Sequence, residues 1–328
     1  MMRRRRRSWI RLALLAPVVA ALLSLRAVAG ASRWTEEDFA RRIPASYTYA
    51  VGGATDDTTV VGVVTTYVVE EGDTVLDVGR HFDLGYNEMI EANPGVDPWL
   101  PPPGEVLIVP TEFVLPDSTY QGLVVNIPEM RLYYFRGSAP RYGAGSGLVT
   151  TYPVGLGRDD WRTPQGSFKV RGKTVNPTWV IPESIRAEHI RDRGDTRTFI
   201  PGGDPDNPLG TYRLELTLPL YGLHGSNMPW GVGMQVSHGC IRLYNEDIAA
   251  LFQEVRVGTP GEFLYQPVKL GVRNGLVYVE VHHDIYGLRT SLEAERLIKR
   301  NGWEDRIDGE RLRKALADQS GLPVMISR

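Results

Sequence analysis

A single cysteine, Cys240, stands in a chain of 328 residues. No intramolecular disulfide can brace such a fold, so stability has to come from a packed core, and the 42% hydrophobic content is enough to build one. The cysteine lies in Ser237-His238-Gly239-Cys240-Ile241-Arg242, 16 residues after His224-Gly225-Ser226. A thiol is a useful nucleophile only as a thiolate, and nearby imidazoles are one way to draw off its proton. Glycine beside each histidine admits unusual backbone dihedrals and close approach of a substrate. Gly231 and Gly233 suit a chain that leaves a sheet, loops and returns. The pattern points to cysteine acyl transfer.

If Ser237–Arg242 is extended, residues two apart share a face, and His238, Cys240 and Arg242 line one side. The Arg242 guanidinium then stands ready for a carboxylate. Backbone N–H groups at Gly239 and Cys240 are candidates for the oxyanion of a tetrahedral intermediate. Two plainer readings compete. A free cysteine is most often a small buried hydrophobe, and His224, His238 and Cys240 have the ligand count of an open zinc site. The two His-Gly pairs weigh against the first reading. The lack of a carboxylate at motif spacing weighs against the second. His282-His283 also invites a metal reading, but no second ligand cluster lies nearby in sequence, so it reads as a strand end. No metal or organic cofactor is expected.

The N-terminus reads as an export signal. Arg3 to Arg7 form a basic region, Leu12 to Leu25 an apolar run, and Ala27-Val28-Ala29 a cleavage site; Arg6-Arg7 also permits a twin-arginine route. The run is short for a membrane span, which favours cleavage over an uncleaved inner-membrane anchor. Of the 37 lysines and arginines, seven lie in residues 1–31, where there is no acid; the remainder are outnumbered by 39 acidic residues. That balance leaves no basic field for nucleic acid. A lone thiol in an oxidising compartment is better explained by chemistry than by packing.

The rest of the chain divides by texture. Residues 32–65 read as a polar linker with a strand near Thr59 to Val64. Residues 66–111 carry a β-α-α-β pattern: Tyr67-Val68-Val69, a helix capped by Asp73 or Thr74, a second helix broken at Asn93-Pro94, and Leu107 to Pro110. With Gly72-Asp73-Thr74 and Phe82, this unit resembles a LysM domain, which implies binding to N-acetylglucosamine-containing glycan strands. From 119 to 267 the texture is strand-rich, opening with a hairpin of Gly122–Ile127 and Met130–Phe135 about Pro128-Glu129. Residues 171–210 form a long Pro/Gly-rich segment of the kind that makes lids. Arg158, Arg162, Lys169, Arg171, Lys173, Arg186, Arg191, Arg193 and Arg197 gather in and around it and are expected to meet an acidic polymer. Asn245 is placed to cap a helix running to Gly258. Residues 268–328 read as one strand, Leu276 to Val281, and two charged helices.

His224-Gly225, Ser237 to Arg242, Thr163-Pro164-x-Gly166-x-Phe168, Asn176-Pro177-Thr178-Trp179 and Pro205 to Gly210 together resemble the L,D-transpeptidase catalytic domain. The order of signal, LysM-like unit and catalytic domain is similar to the Gram-negative periplasmic subgroup. The resemblance implies a mainly β fold, with a β-sandwich or barrel catalytic domain after the small βααβ unit and a helical C-terminal tail. It implies that Cys240 attacks the L-centre carbonyl of the third residue of a peptidoglycan tetrapeptide stem. D-alanine leaves, and the thioester passes to an amine of a second stem or of an envelope lipoprotein lysine. It makes His224 the base, oriented by the Gly225 carbonyl, and places His238 and Gly239 beside the thiolate. Ser237, Arg242, Ser226, Tyr221 and Trp230 are the expected substrate contacts. Residue spacing alone leaves either histidine able to serve as base. Two other functions fit the same residues: a cysteine carboxypeptidase that delivers the acyl group to water, and a non-catalytic glycan-binding wall anchor.

Overall fold

In the hairpin after residue 120, alternate side chains go to different cores. β2 (Gly122–Asn126) and β3 (Arg131–Gly137) pair antiparallel with Val124 opposite Tyr133. Leu123, Val125 and Leu132 join a cluster with Phe168, Leu214, Leu223, Ile241 and Leu251. Val124, Tyr133 and Phe135 join a second one with Val75, Met89 and Leu107. A strand buried on both faces has no polar side, which is why this stretch reads as an apolar run and not as an alternation.

The hairpin is part of a nine-stranded mixed sheet. Its other strands are β1 (Ser46–Val51), β4 (Gly145–Pro153), β5 (Gly166–Val175), β6 (Tyr212–Leu216), β7 (Gly222–His224), β8 (Ile241–Arg242) and β9 (Pro260–Leu264), in the order β1-β4-β3-β2-β9-β5-β6-β7-β8. β9 runs parallel to β2, and β8 parallel to β7. The helices are α1 (Glu36–Ala40), α2 (Val75–His81), α3 (Tyr86–Ala92), α4 (Glu183–Arg193), α5 (Asn245–Glu254), α6 (Thr290–Asn301) and α7 (Gly309–Asp318). The protein is mainly β. This computed structural model describes residues 32–52, 57–137, 145–287 and 290–328. The expected export signal lies outside them, and among the described residues no helix is long and apolar enough to cross a membrane.

Within the stretch expected as a linker, 32–65, the described residues include a helix and strands. Thr35 caps α1 in a reciprocal pair with Asp38. β1 adds to the sheet edge against 145–150, burying Tyr49 beside Phe135. A five-residue helix and a polar edge strand are too weak to stand alone, so little in their own sequence marks them. The strand expected near Thr59 is present as Val60–Gly62, paired with Glu112–Val114.

Residues 65–109 form a two-stranded sheet, Thr65–Val68 with Val106–Val109, flanking α2 and α3. Thr74, not Asp73, caps α2, accepting from Asp77 N–H at 3.0 Å. Asp73 accepts from Tyr67 and from Glu70 N–H. The C-terminal strand is one of three, Val268–Arg273, Leu276–Val281 and Val324–Met325, which pack with Ala294, Ile298 and Ala315 of α6 and α7.

Candidate active site

β6, β7 and β8 bring the chemistry to one face of the sheet. Leu214, Leu223 and Ile241 lie in register and are fully buried in the core. Their neighbours therefore point the other way, and Arg213, His224 and Arg242 form a row there, also in register. Cys240 immediately precedes β8 and belongs to the next row, towards Gly222.

His224 is buried, and its Nδ1–H donates to the Gly225 carbonyl at 2.7 Å. This bond fixes the tautomer and leaves Nε2 as the free acceptor. Burial, with Arg242 adding to it, lowers the imidazole pKa to about 3 against the pull of the Gly225 carbonyl. The ring is therefore neutral near pH 7. Gly225 must be glycine, because a Cβ there would lie 2.2 Å from Asn245 Oδ1. Asn245 in turn accepts from Ser226 N–H at 3.0 Å and donates to the Ser226 carbonyl at 2.9 Å. The helix cap expected of Asn245 is not formed; Tyr244 is the N-cap, without a side-chain bond. The Asn245 amide clamps the histidine loop instead. Sequence reasoning missed this role, since an Asn at a helix start signals a cap.

The Cys240 Sγ–H donates to the Leu220 carbonyl at 3.4 Å. Burial pushes the thiol pKa up, while Arg213, the Gly222 N–H and Arg242 pull it down. Gly239 has φ +101°, a conformation open to glycine, and a Cβ would meet the Tyr221 ring at 3.0 Å. That kink overturns the expectation of a continuous extended Ser237–Arg242, because the strands stop at Ser237 and resume at Ile241. His238 and Cys240 consequently face different surroundings. His238 Nε2 lies 3.0 Å from Glu188 Oε2 and 3.2 Å from Arg158 Nη2, with the Trp161 ring edge-on.

Several expected substrate contacts are spent internally. Ser237 is buried, donating to the Cys240 carbonyl at 2.6 Å and accepting from Gly239 N–H at 3.1 Å. This also removes the Gly239 N–H as an oxyanion donor. Ser226 is buried and bonded to Met228 in both directions. Turn residues with small hydroxyls satisfy their own loop before they reach a ligand. Tyr221 packs beside Gly239, close to the thiol. Trp230, about half exposed, lines a cavity of about 390 Å³ with Arg242, His238, Trp179 and Arg193.

Of the segment expected as a lid, 171–210, the first five residues continue β5 in the main sheet, and Trp179–Val180 with Phe199–Ile200 form a short hairpin around α4. It is not the simple cationic field expected. Arg158, Arg162, Arg171, Arg191 and Arg197 are paired with nearby acids, and Lys173 donates to the Phe252 and Val255 carbonyls at the end of α5.

His282 is more than a strand end. Its Nε2 is 2.6 Å from Glu280 and its Nδ1 is 2.9 Å from Glu91 of α3. Glu129, Glu280 and His282 are grouped closely enough for a metal. The Lys269 ammonium already bridges Glu129 and Glu280 at 2.8 and 2.6 Å, so the cluster is a buried ionic joint.

A thiol on a sheet face, a neutral histidine with one nitrogen pinned and an adjoining cavity are the parts of a thiol acyltransferase. A family model described as the L,D-transpeptidase catalytic domain, YkuD, matches residues 120–269. The chain is 36% identical to the probable L,D-transpeptidase YbiS of Escherichia coli K12, over 83% of this chain and 90% of that protein. It is 38% identical to the probable L,D-transpeptidase ErfK/SrfK of the same strain, over 75% of this chain and 80% of that one. The chain belongs to the L,D-transpeptidase family.

Proposed function

We propose that the enzyme acts on peptidoglycan stem peptides from the periplasmic side of the envelope, exported by residues 1–31. Cys240 attacks the carbonyl at the L-centre of the third stem residue, His224 Nε2 takes the thiol proton, and the Cys240 N–H faces the developing oxyanion. The tetrahedral intermediate collapses to a thioester as D-alanine leaves with that proton. An amine, from a second stem or a lipoprotein lysine, then attacks and restores the thiol. Arg242 reads a substrate carboxylate, and Trp230 and Trp179 bound the groove. The βααβ unit holds glycan strands near the site.

The observation that carries this reading is the Nδ1 bond of His224 to Gly225, which commits the other nitrogen to accept a proton. His238 is less suited to that role because its Nε2 already meets Glu188 and Arg158. The test is incubation of the wild type and Cys240→Ala with disaccharide-tetrapeptide, followed by mass spectrometry. Cysteine-dependent dimers lacking one D-alanine are expected. Tripeptide without dimer, even when a lysine-ended peptide is supplied as acceptor, would replace the transferase with a hydrolase.

A further inference from the structure

The active-site face holds a second guanidinium that the reaction scheme above leaves unused. Arg213 lies on β6 directly opposite His224, on the same side of the sheet as His224 and Arg242. Its side chain runs over Gly222, where a Cβ would stand 3.0 Å from Arg213 Nε and 3.6 Å from Nη2. Gly222 is the residue whose N–H faces the Cys240 sulfur. The glycine therefore leaves a slot beside the nucleophile, and the guanidinium fills it. Arg213 Nε is buried and without a hydrogen-bond partner, as is Arg242 Nε. The nearest acid on its own strand, Glu215, is taken by Arg171 at 3.4 Å.

A partly buried guanidinium whose inward Nε has no partner is expected to have an anion to meet. The candidate anion is the thiolate. In a thiolate–imidazolium site the positive charge comes from a protonated histidine beside the sulfur. Here His224 is buried, with Nδ1 spent on the Gly225 carbonyl, and His238 is turned to Glu188 by the Gly239 kink. The other titratable group facing the sulfur is Tyr221, and beyond it stands Tyr286 with Arg162 over its ring at 4.4 Å. Neither tyrosine offers positive charge. Two guanidiniums remain, and Arg242 also lines the substrate cavity.

We propose that Arg213 is a positioning residue that stabilises the thiolate form of Cys240 from across Gly222, offsetting part of the cost of burying that charge. The inference rests on Cys240 being the nucleophile. When His224 Nε2 takes the thiol proton, the negative charge left on sulfur faces the guanidinium.

Because Cys240 is the only cysteine, alkylation by iodoacetamide reports this sulfur alone: an S–C bond forms and iodide leaves. The rate is followed against pH for the full protein, Arg213→Met, Arg213→Gln and Arg213→Lys, with near-ultraviolet circular dichroism to establish native packing. Removing the charge is expected to raise the alkylation midpoint by about one pH unit or more. Arg213→Lys, which keeps the charge, falls between wild type and Arg213→Met. If either neutral variant is folded and titrates like the wild type, the proposal is overturned. An unchanged midpoint with a raised KM for tetrapeptide would also overturn it and give Arg213 to substrate carboxylate recognition. A protein that turns over no tetrapeptide would defeat the transpeptidase reading and leave the alkylation result standing.

Discussion

At the scale of single residues, the two histidines of the motif differ by their hydrogen bonds and not by their sequence context. Each precedes a glycine. His224 spends Nδ1 on Gly225 and keeps Nε2 open, whereas His238 gives Nε2 to the Glu188–Arg158 pair. His224→Asn is therefore expected to slow acylation by a carbapenem by about two to four orders of magnitude, the usual worth of a general base. His238→Asn should cost roughly tenfold or less, through positioning alone. Stopped-flow measurement of the acyl-enzyme separates them, and equal losses would remove the distinction. Because the His224 pKa is lowered to about 3, the acylation rate should show no inflection near the ordinary histidine range. It should instead climb with pH as the thiol ionises, since burial holds that proton on.

At the scale of elements, α4 is tied to the active site through Glu188. Arg158, beside the thiol loop, holds Glu188, and Glu188 holds His238; the two bonds lower the Glu188 pKa to about 2. Both side chains are about a third exposed, so the pair should contribute well under about 1 kcal/mol to global stability. Its effect should be local. Glu188→Gln is expected to leave the melting temperature nearly unchanged while raising the rate of limited proteolysis in the segment 179–200. Unaltered cleavage there would mean that the small cluster of Ile181, Ile185 and Ile200 holds α4 in place without the ion pair.

Across the whole molecule, the βααβ unit, the catalytic sheet and the C-terminal strands meet at the buried joint of Glu91, Glu129, Lys269, Glu280 and His282. Removing one partner of such a cluster leaves an uncompensated buried charge, at a cost of about 3–5 kcal/mol. Glu91→Gln should lower the unfolding midpoint accordingly. The joint also sets a pH window. The His282 pKa is raised to about 10, chiefly by Glu91 working against burial, so its contribution is complete below the ordinary imidazole value and is lost as pH rises through about 10. The Glu91 pKa is lowered to about 2 by His282, again against burial, so its contribution is complete above the ordinary carboxylate value and is lost as pH falls towards 2. Chemical denaturation across pH should show a plateau that Glu91→Gln lowers and narrows. An unshifted profile would assign the joint no energetic role.

Much of this protein is legible in its sequence because the signals are local. Cysteine count, glycine beside histidine, the apolar runs of the hairpin and helix-breaking Asn93-Pro94 each act within a few residues, and from them follow a mainly β chain and a candidate nucleophile at Cys240. What depends on residues far apart in the chain was decided by packing. The edge strand at 46–51 exists because β4 offers it unpaired backbone groups. Ser226 and Ser237 turn inward because buried loops must satisfy their own polar atoms. Asn245 clamps Ser226 rather than capping its helix, and Lys269 takes the place a metal would have between Glu129 and Glu280. The ranking of the two histidines, and the guanidinium laid over Gly222, likewise needed three strands brought into register. A residue's type sets what it is able to do, and its tertiary neighbours decide which of those capacities remain free.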